Sequence, residues 1–136
     1  MELIREKCFG SIKLIICGGA HMSQNIMEEF YSLGVLVLQG YGITECAPLV
    51  SVNRNKMNKF DSVGLVSAHT EVKIEDGEIL VRGKNIMKGY YKMPEATAQA
   101  IDAEGWLHSG DIACIFYTIP LHNFSLSFPH FLDFFI

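Results

Sequence analysis

Much is missing from this 136-residue chain, and each absence excludes something. Positive charge is not in excess: 11 Lys and Arg stand against 15 Asp and Glu, a net charge of −4. That balance speaks against a nucleic-acid role built on phosphate contacts. The cysteines Cys8, Cys17, Cys46 and Cys114 form no CxxC pair, so they read as reduced thiols of a cytosolic protein rather than as a zinc site. His21, His69, His122 and His130 have no metal-binding spacing. No GxSxG occurs to supply a serine nucleophile, and no GxxxxGK[ST] to cradle a triphosphate. No secretory signal is read at the start, because Glu2, Arg5, Glu6 and Lys7 break the first apolar stretch. Internal repeats and low-complexity tracts are absent too. A continuous apolar run of about 20 residues, which a membrane-spanning helix needs, is also lacking. Residues 112–136 come nearest, with Asp133 as their only charge and six of the nine phenylalanines. Pro120, His122, Asn123, Pro129 and His130 interrupt them.

What is present begins with Lys13-Leu-Ile-Ile-Cys17, an apolar run ending at Gly18-Gly19-Ala20, which predicts a buried strand and a tight turn. Ser23 suits an N-cap; Ile26, Met27, Phe30 and Leu33 follow at helical spacing, and Gly34 stops the helix. Val35-Leu-Val-Leu-Gln39 predicts a second buried strand, ending at Gly40-Tyr41-Gly42. Strand, helix and strand in this order form a βαβ unit with a parallel sheet and a right-handed crossover. Ligands of such sheets gather beyond the carboxyl ends of the strands, where both glycine-rich turns fall.

The polar segment from Val50 to Asp61 is expected to be a solvated loop. Beyond it the texture changes. Glu71-Val-Lys-Ile-Glu75 alternates, Asp76-Gly77 is a hairpin turn, and Glu78-Ile-Leu-Val-Arg82 returns. Pro94 opens a short helix through Ala96, Ala98 and Ile101. Asp102 to Gly105 turns the chain toward Trp106-Leu107 and Ser109-Gly110-Asp111. The fold class is therefore α/β: a βαβ parallel-sheet part followed by an antiparallel β-rich subdomain.

The stretch Gly40-Tyr-Gly-Ile-Thr-Glu45 carries the most chemistry. Two glycines let the backbone approach a flat ligand, and a tyrosine face can stack on a base. The Thr44 hydroxyl can donate to a phosphate oxygen. A lone carboxylate such as Glu45 suits Mg²⁺, which takes one or two protein carboxylates and fills the rest with water and phosphate. Asp111 can accept hydrogen bonds from both hydroxyls of a ribose. Each assignment has a plainer alternative: Tyr41 packs in the core, Glu45 is a surface carboxylate, Asp111 is a turn or cap residue. His108 lies beside the candidate site, where a packed or solvated role stands equally open.

Four stretches in order resemble the adenylate-forming (AMP-binding) superfamily, most closely its long-chain fatty acid–CoA ligases. They are Gly18-Gly19-Ala20, Gly40 to Glu45, Gly77-Glu-Ile-Leu-Val-Arg-Gly83 running into Met87-Lys-Gly-Tyr-Tyr91, and Gly105-Trp-Leu-His-Ser-Gly-Asp111. The resemblance covers roughly Leu3 to Ala113. It implies that Gly18, Gly19 and Ala20 line an adenine on which Tyr41 stacks, between Gly40 and Gly42. It implies Thr44 at the α-phosphate, Glu45 on Mg²⁺ and Asp111 on the ribose, with Thr44 and Glu45 as the catalytic pair. Gly83 and Gly89 would serve backbone turns, and Gly64 would lie near the acyl group.

The implied reaction joins a fatty acid to coenzyme A through an acyl-adenylate made from Mg·ATP. The fatty acid, ATP and coenzyme A are thus the expected partners, with cytoplasmic placement. Departures from the family pattern are His21, where a proline or small residue is common, and the lack of an upstream phosphate loop ending in lysine. No arginine-containing hinge or catalytic lysine follows Ala113. The expectation is an incomplete domain: residues 1–113 a piece of the family's N-terminal domain, and residues 114–136 an aberrant apolar tail. Such a piece would be inactive without the remainder of the ligase. The alternative is a non-catalytic nucleotide-binding module whose tail docks on a partner or at the periphery of a membrane. Aryl, short-chain or amino-acid adenylating relatives are a further alternative.

Overall fold

The structure, a computed structural model, describes residues 2–117 and 130–133. Helix α1 (Glu2–Phe9) precedes strand β1 (Leu14–Cys17), helix α2 (Gln24–Ser32) and strand β2 (Leu36–Gly42). β1 and β2 run parallel, Leu14 opposite Leu36 through Cys17 opposite Gln39, as the βαβ reading requires. Ser23 stands at the helix start in extended conformation. Its carbonyl accepts from the amides of Ile26 and Met27, while its side chain makes no capping bond. Gly34, at φ +80°, ends the helix in the left-handed conformation that glycine adopts without a Cβ clash.

Two expectations change here. β1 forms where predicted but is not buried: Leu14 is 42% and Ile16 68% exposed. Among the described residues it has one neighbour, β2, and stands at the edge of the sheet. Apolar side chains alone did not reveal that position. β2, by contrast, does not stop at Gln39 but continues through Gly40-Tyr41-Gly42. The antiparallel strand β3 (Leu49–Val52) lies along that extension, with Gly40 opposite Val52 and Tyr41 opposite Ser51. Both glycines are there for close approach rather than for a turn. A Cβ on Gly42 would stand 2.1 Å from the Pro48 carbonyl oxygen, and one on Gly40 3.0 Å from that of Ser51.

The segment from Val50 to Asp61 also departs from a solvated loop. Val50 and Ser51 are fully buried in β3, and Asn53 is 1% exposed. The Asn53 amide donates to the carbonyls of Gln39, Lys59 and Ser62, and its oxygen accepts from the Lys59 amide. A buried amide with its bonds made is a structural clamp. It holds the loop against the end of β2. Composition misled here because a satisfied Asn53 and an exposed Arg54 look alike in a polar run.

Strand β4 (Leu65–Val66) pairs with β3. The hairpin β5 (Thr70–Glu75) and β6 (Glu78–Gly83) turns at Asp76-Gly77, both with positive φ, as predicted. Helix α3 (Pro94–Ala100) carries Pro94 in its first turn. Strand β7 (Leu107–Ile112) completes an antiparallel sheet in the order β5-β6-β7. β8 (Cys114–Tyr117) and β9 (His130–Asp133) extend the larger sheet to β1-β2-β3-β4-β9-β8. The remainder of the expected apolar tail, 118–129 and 134–136, lies outside the described residues. No helix among the described residues is long and apolar enough to cross a membrane.

The two sheets share one core. Tyr41, Cys46, Val50 and Val63 from the larger sheet and its loops pack with Ile79, Val81, Leu107 and Ala113 of the smaller one and its flank. Burying each large aliphatic side chain contributes about 1.5–3 kcal/mol. These contacts hold the carboxyl end of β2 against β7, which is what positions the site.

Candidate functional site

A cleft of about 480 Å³ opens where the carboxyl ends of β1 and β2 meet β7. From the first glycine turn it takes Gly19, Ala20 and His21, and from the end of β2 it takes Gln39 through Ile43. Gly110, Asp111 and Ile112 of β7 close it, with Val63 beside them. Three stretches well separated in sequence thus converge on one cavity, as the motif reading required.

Tyr41 is the hinge of this arrangement. Only 8% of it remains exposed, and its hydroxyl donates to Oδ2 of Asp111 at 2.5 Å. A hydrogen bond to a charged acceptor is short and strong. Burial pushes the Tyr41 phenol well above the usual tyrosine range, and the bond to Asp111 adds to that push. The tyrosine therefore stays a neutral donor. Asp111 sits in strand β7 rather than in a turn, its own amide bonded to the Ser109 hydroxyl at 3.1 Å. Ser109 in turn donates to the Ile79 carbonyl at 2.7 Å, tying the acidic stretch to β6.

Not every predicted residue reaches the lining. Gly18 lies behind it, where a Cβ would meet the Gly40 carbonyl oxygen at 3.1 Å. Thr44 opens a 3-10 turn (Thr44–Cys46) just beyond Ile43, and is exposed. Glu45 is half-buried on that turn, and its Oε1 accepts from the Tyr90 hydroxyl at 2.8 Å. Cys46 behind it is fully buried, its thiol pushed up to about 11 by burial and then by the Glu45 charge. Gly64 is buried at φ +86°, pressed on the backbone of Val52 and Asn53, and the neighbouring Val63 is what reaches the cleft. Gly83 and Gly89, expected to serve backbone turns, stand at close approaches, Gly83 to the His69 carbonyl and Gly89 to the Thr97 side chain.

His108 is corrected. Strand alternation sends it to the opposite face of β7, where its Nδ1 lies 3.0 Å from Oε2 of Glu78. The His108 contact, with the Gly110 amide, holds the Glu78 carboxyl below its ordinary value. It takes no part in the cleft.

Gln39 went unnoticed in the sequence. It is 2% exposed, and its Oε1 accepts from the Met22 amide at 2.8 Å, which stretches the first glycine turn across the end of β2. A polar residue closing an otherwise apolar strand was the available signal. His21 and Ile43 are further lining residues that the reading assigned no role in binding.

Among the described residues, no three His, Cys, Asp or Glu side chains group as ligands of one metal ion. Glu45 still fits Mg²⁺, as a hard oxygen donor whose second oxygen has no partner among the described residues. This ion commonly takes a single protein carboxylate and completes its shell from water and phosphate.

Comparison with known proteins follows the same lines. The AMP-binding enzyme family matches residues 2–91. A long-chain-fatty-acid–CoA ligase of Escherichia coli O157:H7 is 42% identical over 118 residues, 77% of this chain and 21% of the relative. A feruloyl-CoA synthase of an Amycolatopsis species is 37% identical over 124 residues, 82% of this chain and 25% of the relative. The solved O-succinylbenzoate coenzyme A synthetase of Bacillus subtilis, in complex with ATP and magnesium ion, superposes with a TM-score of 0.68 at 32% identity. That match covers 78% of this chain and 25% of the other. The chain spans a quarter or less of the length of these relatives.

Proposed function

This chain belongs to the AMP-binding enzyme family, and from that membership we propose that its cleft is the adenosine-binding half of an acid–CoA ligase active site. The enzyme would join a carboxylic acid to coenzyme A through an acyl-adenylate formed from ATP. The observation that carries the reading is the Tyr41–Asp111 pair, spanning a cleft that Gly19 and Ala20 also line.

Each group has a task that its geometry suits. Gly19, Ala20 and Gly40 offer a wall of small residues for the flat base, with the Tyr41 ring beside it. Asp111 spends one carboxylate oxygen on Tyr41 and offers the other to the ribose hydroxyls. Holding both ends of the adenosine sets the α-phosphorus in line with the attacking carboxylate, and such positioning is a large share of catalysis in nucleotidyl transfer. Thr44, exposed just past the cleft, would donate to the α-phosphate. Glu45 would hold Mg²⁺, which supplies charge neutralisation at the phosphates when bound. No side chain here needs to act as a nucleophile, and none of the described residues lining the cleft is a serine or cysteine.

Long-chain fatty acid is the acid we favour, on the sequence Gly40 to Pro48 and on the similarity to the fatty-acid ligase. Relatives named for feruloyl and O-succinylbenzoyl substrates match over similar lengths. Calorimetric titration of the 136-residue chain with AMP tests the nucleotide reading. Binding that weakens at least tenfold in Tyr41→Ala and in Asp111→Ala supports it, on the scale of about 1.4 kcal/mol per decade. Unchanged affinity in both variants would overturn it. Palmitoyl- and feruloyl-sulfamoyl adenosine, titrated in parallel, decide between the acids.

A further inference from the structure

Glu45 stands on a 3-10 turn of three residues, too short to hold a carboxylate in place by itself. What holds it comes from a loop about forty residues further on, between β6 and α3. The Met87 amide donates to the Glu45 carbonyl at 2.7 Å. The Asn85 side chain donates to the carbonyls of Cys46 and Leu49, both at 3.1 Å. The Tyr90 hydroxyl reaches Oε1 of Glu45 at 2.8 Å. Tyr90 is itself pinned: its amide donates to the Thr97 hydroxyl at 2.9 Å, and that hydroxyl donates to the Met93 carbonyl at 2.9 Å. Gly89, at φ +140°, lets the loop press on α3, where a Cβ would stand 2.7 Å from Thr97 Cγ2.

We propose that Tyr90 is a positioning residue for Glu45: its hydroxyl occupies Oε1, restricts the side chain to one orientation and leaves Oε2 to take the divalent cation of a nucleotide–metal complex. The inference rests on the reading of Glu45 as the magnesium carboxylate. Nothing about the fold requires this hydroxyl. Tyr90 is 38% exposed and outside the shared core, so its ring and its bond do not support the sheets. The neighbouring Tyr91 is 84% exposed and makes no hydrogen bond to the described residues, which makes it a matched control.

The test is ATP binding by the full 136-residue chain, measured calorimetrically with Mg²⁺ and again in EDTA, for the wild type, Tyr90→Phe, Glu45→Gln and Tyr91→Phe. The quantity read is the gain in affinity that Mg²⁺ confers. Tyr90→Phe should cut that gain about tenfold, the scale of one hydrogen bond to a charged group, and leave metal-free affinity unchanged. Tyr91→Phe should keep the gain, and Glu45→Gln should abolish it. A full or enlarged gain in Tyr90→Phe overturns the inference, the enlarged one meaning that the phenol competes with the metal. A wild-type chain with no magnesium gain overturns the reading of Glu45 itself, and the inference with it. If the gain vanishes in Glu45→Gln alone, the reading of Glu45 stands and the role of Tyr90 does not.

Discussion

Tyr41 and Glu45 lie on one short stretch of chain, four residues apart, and are held in opposite ways. Tyr41 is sealed between two sheets, packed in the core and bonded to a strand 70 residues away. Glu45 stands outside that core, half-buried, held by a loop that drapes over the 3-10 turn. The inner residue is positioned by whatever stabilises the fold. The outer one is positioned by a few hydrogen bonds that the fold can lose. Substitutions around Tyr41 should therefore register as stability and binding together, those around Glu45 as binding alone.

The sharpest way to break the contrast is a matched pair of glycine changes. Gly42→Ala places a methyl 2.1 Å from the Pro48 carbonyl oxygen, backbone that cannot swing aside, and should abolish cooperative thermal unfolding of the chain. Gly89→Ala meets the Thr97 side chain at 2.7 Å and should leave the thermal transition cooperative while loosening the loop, seen as faster amide exchange at Tyr90. A global collapse of Gly89→Ala would refute the division into inner and outer parts.

Leu107→Ala comes next. This fully buried β7 residue sits where the two sheets share their core, and its loss should lower unfolding free energy by about 2–5 kcal/mol in denaturant titration. Tyr41→Phe keeps the ring and removes the hydroxyl, so a smaller loss of about 1–2 kcal/mol is expected from the unpaired, partly buried Asp111 oxygen. Tyr90→Phe should change stability by less than about 0.5 kcal/mol, the usual range for an exposed site.

The two tyrosines also differ with pH. The Tyr41 phenol is raised in the folded chain, so the fold binds this proton more tightly than the unfolded chain does. Its contribution is fully present below the ordinary tyrosine value of 10.0 and is lost as pH rises above it. The unfolding midpoints of wild type and Tyr41→Phe should therefore differ at neutral pH and draw together as pH rises above that value. Glu78 has the opposite sign: its lowered carboxyl contributes above the ordinary glutamate range and loses that contribution as pH falls through its folded value. His108→Ala should therefore alter acid unfolding only slightly, because the pair is exposed and screened.

Elements whose rules are local were legible in advance. The Asp76-Gly77 hairpin demands two positive φ values, Pro94 suits a first helical turn, and the alternation of residues 71–75 matches a half-buried strand. The convergence of the first glycine turn, Tyr41 and Asp111 was legible too, through motif order. The misreadings all concern neighbours. β1 looked buried because its side chains are apolar, yet among the described residues one flank has no partner strand. Residues 50–61 looked solvated because they are polar, yet Asn53 satisfies its amide internally. His108 looked adjacent to the site because Asp111 is three residues away, yet an odd separation in a strand puts it on the other face.

Read alone, the 136 residues already specified the local elements, the family and the short list of groups able to hold a nucleotide, because turn geometry, helix capping and hydrophobic period depend on residues close in the chain. Folding decided which of those groups meet. Tyr41 finds Asp111 across 70 residues and Glu45 finds Tyr90 across 45. Such partnerships depend on how two sheets pack and which face each strand presents, and no short window of sequence contains that information.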